Sequence, residues 1–168
     1  QDFRDDIPIS KEILAHVGET YRLVRNTFRF QLSNLSDFDP ARDMVPPGKM
    51  EGLDRWALDR LAQLQEQVRK AFSGYEFYLA FTAIHQFCVV EMSSLYLDIV
   101  KDRLYHPDRR GEAAKASGQE ALRVCLRTLL QIFAPVLPFV TEEIWRKAFP
   151  GEGSIHVSRW PDAASIPS

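Results

Sequence analysis

The sequence predicts an all-α fold: an antiparallel helical bundle of four long helices, followed by a shorter C-terminal helix and an extended tail. Apolar residues recur at alternating three- and four-residue intervals through four long stretches. Turn formers gather between those stretches, and no segment of useful length alternates apolar and polar residues as a strand would. With 168 residues, 26% charged and 45% hydrophobic, the chain suits a single domain, residues 1–168, with enough core to fold alone.

From Ser10 to Leu35, Leu14, Val17, Tyr21, Val24, Phe28, Leu32 and Leu35 mark one helical face. Ser10 is the expected N-cap, because its hydroxyl can accept from an otherwise unpaired amide, and Glu12 suits the positive end of the helix dipole. Residues 36–50 hold Asp37, Asp39, Pro40, Pro46, Pro47 and Gly48 and read as a surface loop without regular structure. The second period runs Leu53, Trp56, Ala57, Leu61, Leu64, Val68 and Phe72, and ends at Ser73-Gly74, where glycine can take a left-handed cap conformation. The third, from Phe77 to Tyr105, contains neither Pro nor Gly and would be about 40 Å long at the α-helical rise. His106-Pro107 stops it, and 106–118 reads as a polar connection. A fourth period covers Leu122 to Phe133, Pro135 and Pro138 break it, and Thr141–Ala148 forms the shorter helix. The tail, 150–168, offers Ile155, Val157 and Trp160 as anchors for an extended strip.

Lys and Arg total 21 against 23 Asp and Glu, so the net charge of −2 gives no whole-molecule attraction to phosphate or to a membrane, and any nucleic-acid contact must be local. Unbroken apolar runs such as Phe87–Val90 are far shorter than the roughly 20 residues of a membrane span. Cys88 and Cys125 lie in apolar runs without C-x-x-C spacing, and read as buried free thiols of a cytoplasmic chain. A start at Gln1 in place of Met suggests a domain excised from a longer parent.

No phosphate-binding glycine loop, metal-ligand spacing or nucleophile–base pair is present, so neither a catalytic residue nor a metal ligand is expected in these residues. Glu142-Glu143, the adjacent carboxylate pair, falls in the first turn expected of the last helix and is explained by the dipole. The basic residues are more informative. Arg22, Arg25 and Arg29 span about 60° of the first helix, off its core face, with Asn26 beside them. Such a stripe is either a phosphate contact surface or an exposed face that pairs with acids on a neighbouring segment. Arg55-Trp56 joins a guanidinium to an aromatic suited to stacking on an unpaired base, although Trp56 is also in phase with the core. Lys101, Arg103, Arg109 and Arg110 close the third helix, where its dipole alone would favour cations.

Four sequence elements carry a resemblance. They are Arg25-Asn26-Thr27-Phe28-Arg29-Phe30 within Tyr21–Leu35; Leu53-Asp54-Arg55-Trp56-Ala57-Leu58; Tyr96 to Tyr105, reading YLDIVKDRLY; and Ala134-Pro135-Val136-Leu137-Pro138-Phe139 with Glu142-Glu143-Ile144-Trp145. In order and spacing they resemble the anticodon-binding domain of the isoleucyl-tRNA synthetase family of class I enzymes. The last element is shared with valyl and leucyl relatives, whereas the Tyr96–Tyr105 stretch favours isoleucyl over valyl.

The resemblance implies a monomeric helical bundle that holds the anticodon stem-loop of isoleucine tRNA while the acceptor end reaches a catalytic core elsewhere in the parent. It implies RNA contacts from Arg29 and Arg55, a stacking role for Trp56, and secondary contacts from Arg22, Arg25 and Asn26, on a cationic surface along the first two helices. The family's HIGH and KMSKS motifs are absent here, so the fragment would bind tRNA without activating isoleucine. No cofactor belongs to it, and ATP and magnesium would serve the parent. Lys115-Ala116 stands where many members carry an Arg pair. The alternative from the residues alone is a helical protein–protein interaction module whose basic face meets an acidic partner.

Overall fold

The computed structural model describes residues 6, 8–162 and 166. Helix α1 spans Lys11–Ser33, a short α2 Pro40–Asp43, and α3 Gly52–Ser73. One long helix then runs Phe77–Tyr105 as three pieces: α4 (Phe77–Gln86), a π-helical segment (Phe87–Tyr96) and α5 (Leu97–Tyr105). After α6 (Pro107–Arg110) come α7 (Glu112–Phe133) and α8 (Pro138–Ala148), and no strand occurs among the described residues. The fold is all-α, as the periodicity predicts.

Contacts fix the directions. Thr27 meets Ser93 at 3.1 Å, and Lys101 lies 5.9 Å from the centre of the Phe30 ring, so α1 runs parallel to the long helix. Phe72 packs on Phe77 while Asp54 bonds Arg103, so α3 runs antiparallel to it. Phe133 packs on Phe81 and Gly118 lies against Val100, so α7 is antiparallel as well. Consecutive long helices therefore alternate in direction. The long helix and α7 form the central pair; α1 and α3 each pack on both, with no comparable interface between themselves, and so lie on opposite sides of that pair. Gly118 permits the approach of α5 and α7, because a Cβ there would stand 2.9 Å from Val100 Cγ2.

One end of the bundle gathers the C-termini of α1 and α5 with the N-termini of α3 and α7. Gln119 Nε2 donates to Asn34 O at 2.9 Å and Asp37 Oδ1 at 2.7 Å, and Glu51 N donates to Ser117 Oγ at 2.8 Å. The core between the helices includes Phe28, Leu58, Leu61, Ile84, Met92, Leu126, Leu129 and Phe133.

Several expectations need correction. Ser10 does cap α1, accepting from Ile13 N at 3.2 Å, but the first half of the apolar face is largely exposed among the described residues: Leu14 and Val17 are 60% and 59% exposed. Residues 36–50 contain α2, capped by Asp39, and a 3-10 turn at Pro47–Lys49, because Pro at the first helical position removes an amide that has no acceptor there. The 106–118 stretch is mostly helical; α7 starts at Glu112 since Ser117, Gly118 and Gln119 are packed against neighbouring segments. Gly74 has φ −88, and the left-handed residue is Tyr75 (φ 57).

Helix α8 begins at Pro138, which leaves Glu142 and Glu143 beyond its first turn. They instead pair with Arg146 and Lys147, each at 2.7 Å. In the tail a 3-10 turn at Ile155–Val157 buries Ile155 and leaves Val157 exposed, while 163–165 and 167–168 of the expected strip lie outside the described residues. The helix Phe77–Tyr105 is long enough, and over an 18-residue window with a mean hydropathy of 1.2 apolar enough, to cross a membrane, which unbroken apolar runs do not reveal. Here it forms half of the central pair, with Ile84, Cys88, Met92, Tyr96 and Val100 buried against protein. Cys88 and Cys125 are buried free thiols.

Candidate nucleic-acid interface

Arginines 25, 29 and 55 are exposed and form no ion pair with any described residue. Arg22 pairs with Glu19 at 2.9 Å on the open helix surface, an arrangement that gives way readily to a phosphate. Asn26 is exposed beside them, and Trp56 is half-buried, its inner side packed on the core. The indole is thus partly core and partly surface.

Their placement differs from one ridge along two adjacent helices. At the α-helical rise, Arg29 lies about 6 Å from the end of α1, Arg25 about 12 Å and Arg22 about 16 Å. Arg55 and Trp56 occupy the start of α3, at that same end of the bundle. Because α1 and α3 flank the central pair from opposite sides, the α1 stripe does not continue onto α3. What the fold brings together is an end: Arg29 on one shoulder, Arg55 and Trp56 on the other. Lys49 and Arg109, exposed and without an ion pair among the described residues, belong to the loops and short helix there.

The other cations are committed within the chain. Lys101 pairs with Asp98 at 3.1 Å, Arg110 with Asp102 at 2.6 Å and Lys115 with Asp37 at 2.6 Å. The Lys115 hydrogen bond holds the Asp37 carboxyl below the usual carboxylate range. A cleft of about 340 Å³ opens at this end between Glu51, Leu53, Ile99, Arg103 and Arg110.

Sequence reasoning missed the group beneath the cleft. Asp54, 0% exposed, receives both terminal nitrogens of Arg103 (2.8 and 2.7 Å), the Tyr96 hydroxyl (2.8 Å) and the Ser117 hydroxyl (2.5 Å). Arg103, only 12% exposed in its side chain, is therefore not a solvated cation at a helix C-terminus. Burial pulls its pKa down most, but the hydrogen bond and charge of Asp54 lead the opposing influences, and the net shift is upward. Burial, then the Asp54 charge, pushes the Tyr96 phenol well above its ordinary value. Two signals were available in the sequence. Asp54 shares the seam of Leu58, Leu61, Gln65 and Val68, and Arg103 follows Tyr96 by two helical turns, on the same face.

Among the described residues no set of three or more His, Cys, Asp or Glu is placed to hold a metal ion. Comparison with known proteins adds the lineage. The chain is 44% identical over 163 residues to an isoleucine–tRNA ligase of Geobacter sulfurreducens, covering 96% of this chain and 17% of that protein. It is 51% identical over 155 residues to one of Syntrophotalea carbinolica, covering 92% and 16% respectively. The chain thus spans about a sixth of the length of these relatives. Residues 54–167 match the family model described as the anticodon-binding domain of tRNA ligase, and with its helical bundle the chain belongs to that family.

Proposed function

We propose that this chain is the single anticodon-binding domain of a longer isoleucine–tRNA ligase, and that it grips the anticodon stem-loop of isoleucine tRNA while a catalytic core elsewhere in the parent charges the acceptor end. The observation that carries this is the set of exposed arginines, 25, 29 and 55, that form no ion pair among the described residues, where the other basic side chains are largely partnered. Arg29 and Arg55 would neutralise loop phosphates from the two shoulders of the bundle end, releasing counterions. The open side of Trp56 offers a plane on which a splayed base can stack. Arg25, Asn26 and Arg22, further down α1, would follow the stem. ATP and magnesium would belong to the parent's catalytic core.

The test is a titration of the chain with an RNA hairpin bearing the isoleucine anticodon. Saturable binding that weakens with salt is expected, with Arg29→Ala and Arg55→Ala each reducing the slope of log affinity against log salt by about one. Binding to an acidic protein with indifference to the hairpin would instead support a protein-interaction surface.

A further inference from the structure

Arg55 and Trp56 follow directly on Asp54, whose carboxylate is the meeting point of four donors from three other parts of the fold. Tyr96 reaches it from the last residue of the π-helical segment, Arg103 from α5 and Ser117 from α7. Ser117 Oγ, which donates to Asp54, also accepts the amide of Glu51, the N-cap of α3. Glu51 makes no side-chain cap of its own, so these bonds tie the start of α3 to its neighbours.

We propose that Asp54, Arg103, Tyr96 and Ser117 are positioning residues for the RNA-contact surface. They fix the rotation and height of the first turn of α3, and so the direction in which Arg55 and Trp56 project, relative to α5 and α7. This rests on the tRNA-binding reading. A helix start is the part of a helix most prone to fray, since its first amides have no helical acceptors. Bonds to a shared buried carboxylate restrain it, and a guanidinium held ready loses less conformational freedom on meeting a phosphate. The arrangement is specific to this shoulder: Arg29 on α1 has no such support from Asp54.

The experiment is a double-mutant cycle read by hairpin binding, with circular dichroism confirming that each variant is folded at the assay temperature. Tyr96→Phe removes one donor and keeps the ring. It should weaken binding by about three- to tenfold, the range that one net hydrogen bond spans. In a background carrying both Arg55→Ala and Trp56→Ala the same change should add nothing, because its effect passes through those two side chains. Ser117→Ala provides a second variant should Tyr96→Phe fail to fold, and Tyr96→Phe paired with Arg29→Ala should be additive. Folded Tyr96→Phe and Ser117→Ala chains that bind as the unmodified chain does, or whose losses add in full to that of the Arg55→Ala, Trp56→Ala pair, would overturn the positioning role while leaving the tRNA reading intact. Failure of the unmodified chain to bind the hairpin overturns both.

Discussion

Gln31 lies in the last turn of α1, 0% exposed, and neither Nε2 nor Oε1 finds a hydrogen-bond partner among the described residues. A buried amide without partners loses its hydration and gains nothing in return, a penalty of about 1–3 kcal/mol. Gln31→Met keeps the length and approximate volume of the side chain and a similar helix propensity, so no cavity opens and the backbone preference is unchanged. The variant should therefore be more stable by about 2 kcal/mol. For a chain of this size that raises the melting temperature by about 4 to 8 °C. Urea unfolding checks it: the midpoint should move up while the slope against denaturant stays constant, since the surface exposed on unfolding is nearly the same. A midpoint that falls would refute the reasoning, because it would mean that the amide is satisfied in solution and contributes to the fold.

Arg103→Met leaves the buried Asp54 carboxylate without its cation and should destabilise the chain by about 3–5 kcal/mol in the same urea assay, far more than the loss of an exposed pair such as Arg22–Glu19. Gly118→Ala forces a methyl against Val100, a branched side chain with little room to move; overpacking by about 1–3 kcal/mol exceeds the helix-propensity gain of about 1 kcal/mol, so the urea midpoint should fall. The two thiols should resist iodoacetamide at pH 8 in the native chain and react when urea is added. Burial pushes Cys88 from its ordinary 9.0 up to about 12, so the fold favours the neutral thiol. Its contribution is fully present below pH 9 and is lost as the pH rises toward 12, which an alkaline unfolding titration of wild type against Cys88→Ala reads.

The helical periods and the breaks between them were legible because both are local. Ser10, Pro40, Pro107 and Pro138 act on their own turn of chain through capping or a missing amide. What periodicity cannot give is the partner. Leu14 and Val17 continue the spacing of Val24 and Phe28, yet only the latter meet α7 and the long helix, so the same pattern is core at one end and surface at the other. Gln31 and Asp54 show the converse: each stands at a core position in its helical period, and polarity alone would have sent it outward. The resemblance to a known family supplied the function class that composition could not, since a net charge of −2 conceals a local cationic end.

The arginines make the same point about the site. In the sequence, Arg29 and Arg103 are both basic residues in the C-terminal part of a helix, Arg103 in the last turn of α5 and Arg29 just before that of α1. The fold separates them by what lies opposite. Arg103 projects along the face that meets the Asp54 seam of α3 and becomes part of the interior, whereas Arg29 is exposed and pairs with no acid among the described residues. An exposed ion pair contributes only about 0–1 kcal/mol, so leaving Arg29 and Arg55 without an ion pair among the described residues takes little from stability and keeps their charge for an anionic ligand, while Arg25 is shared in part with the field of Glu143. Had each been paired, a phosphate would have to displace a carboxylate before binding. On the proposed reading, the interior cation and the surface cations would serve one surface by opposite means: the first by being fully engaged within the fold, the others by forming no ion pair with a described residue.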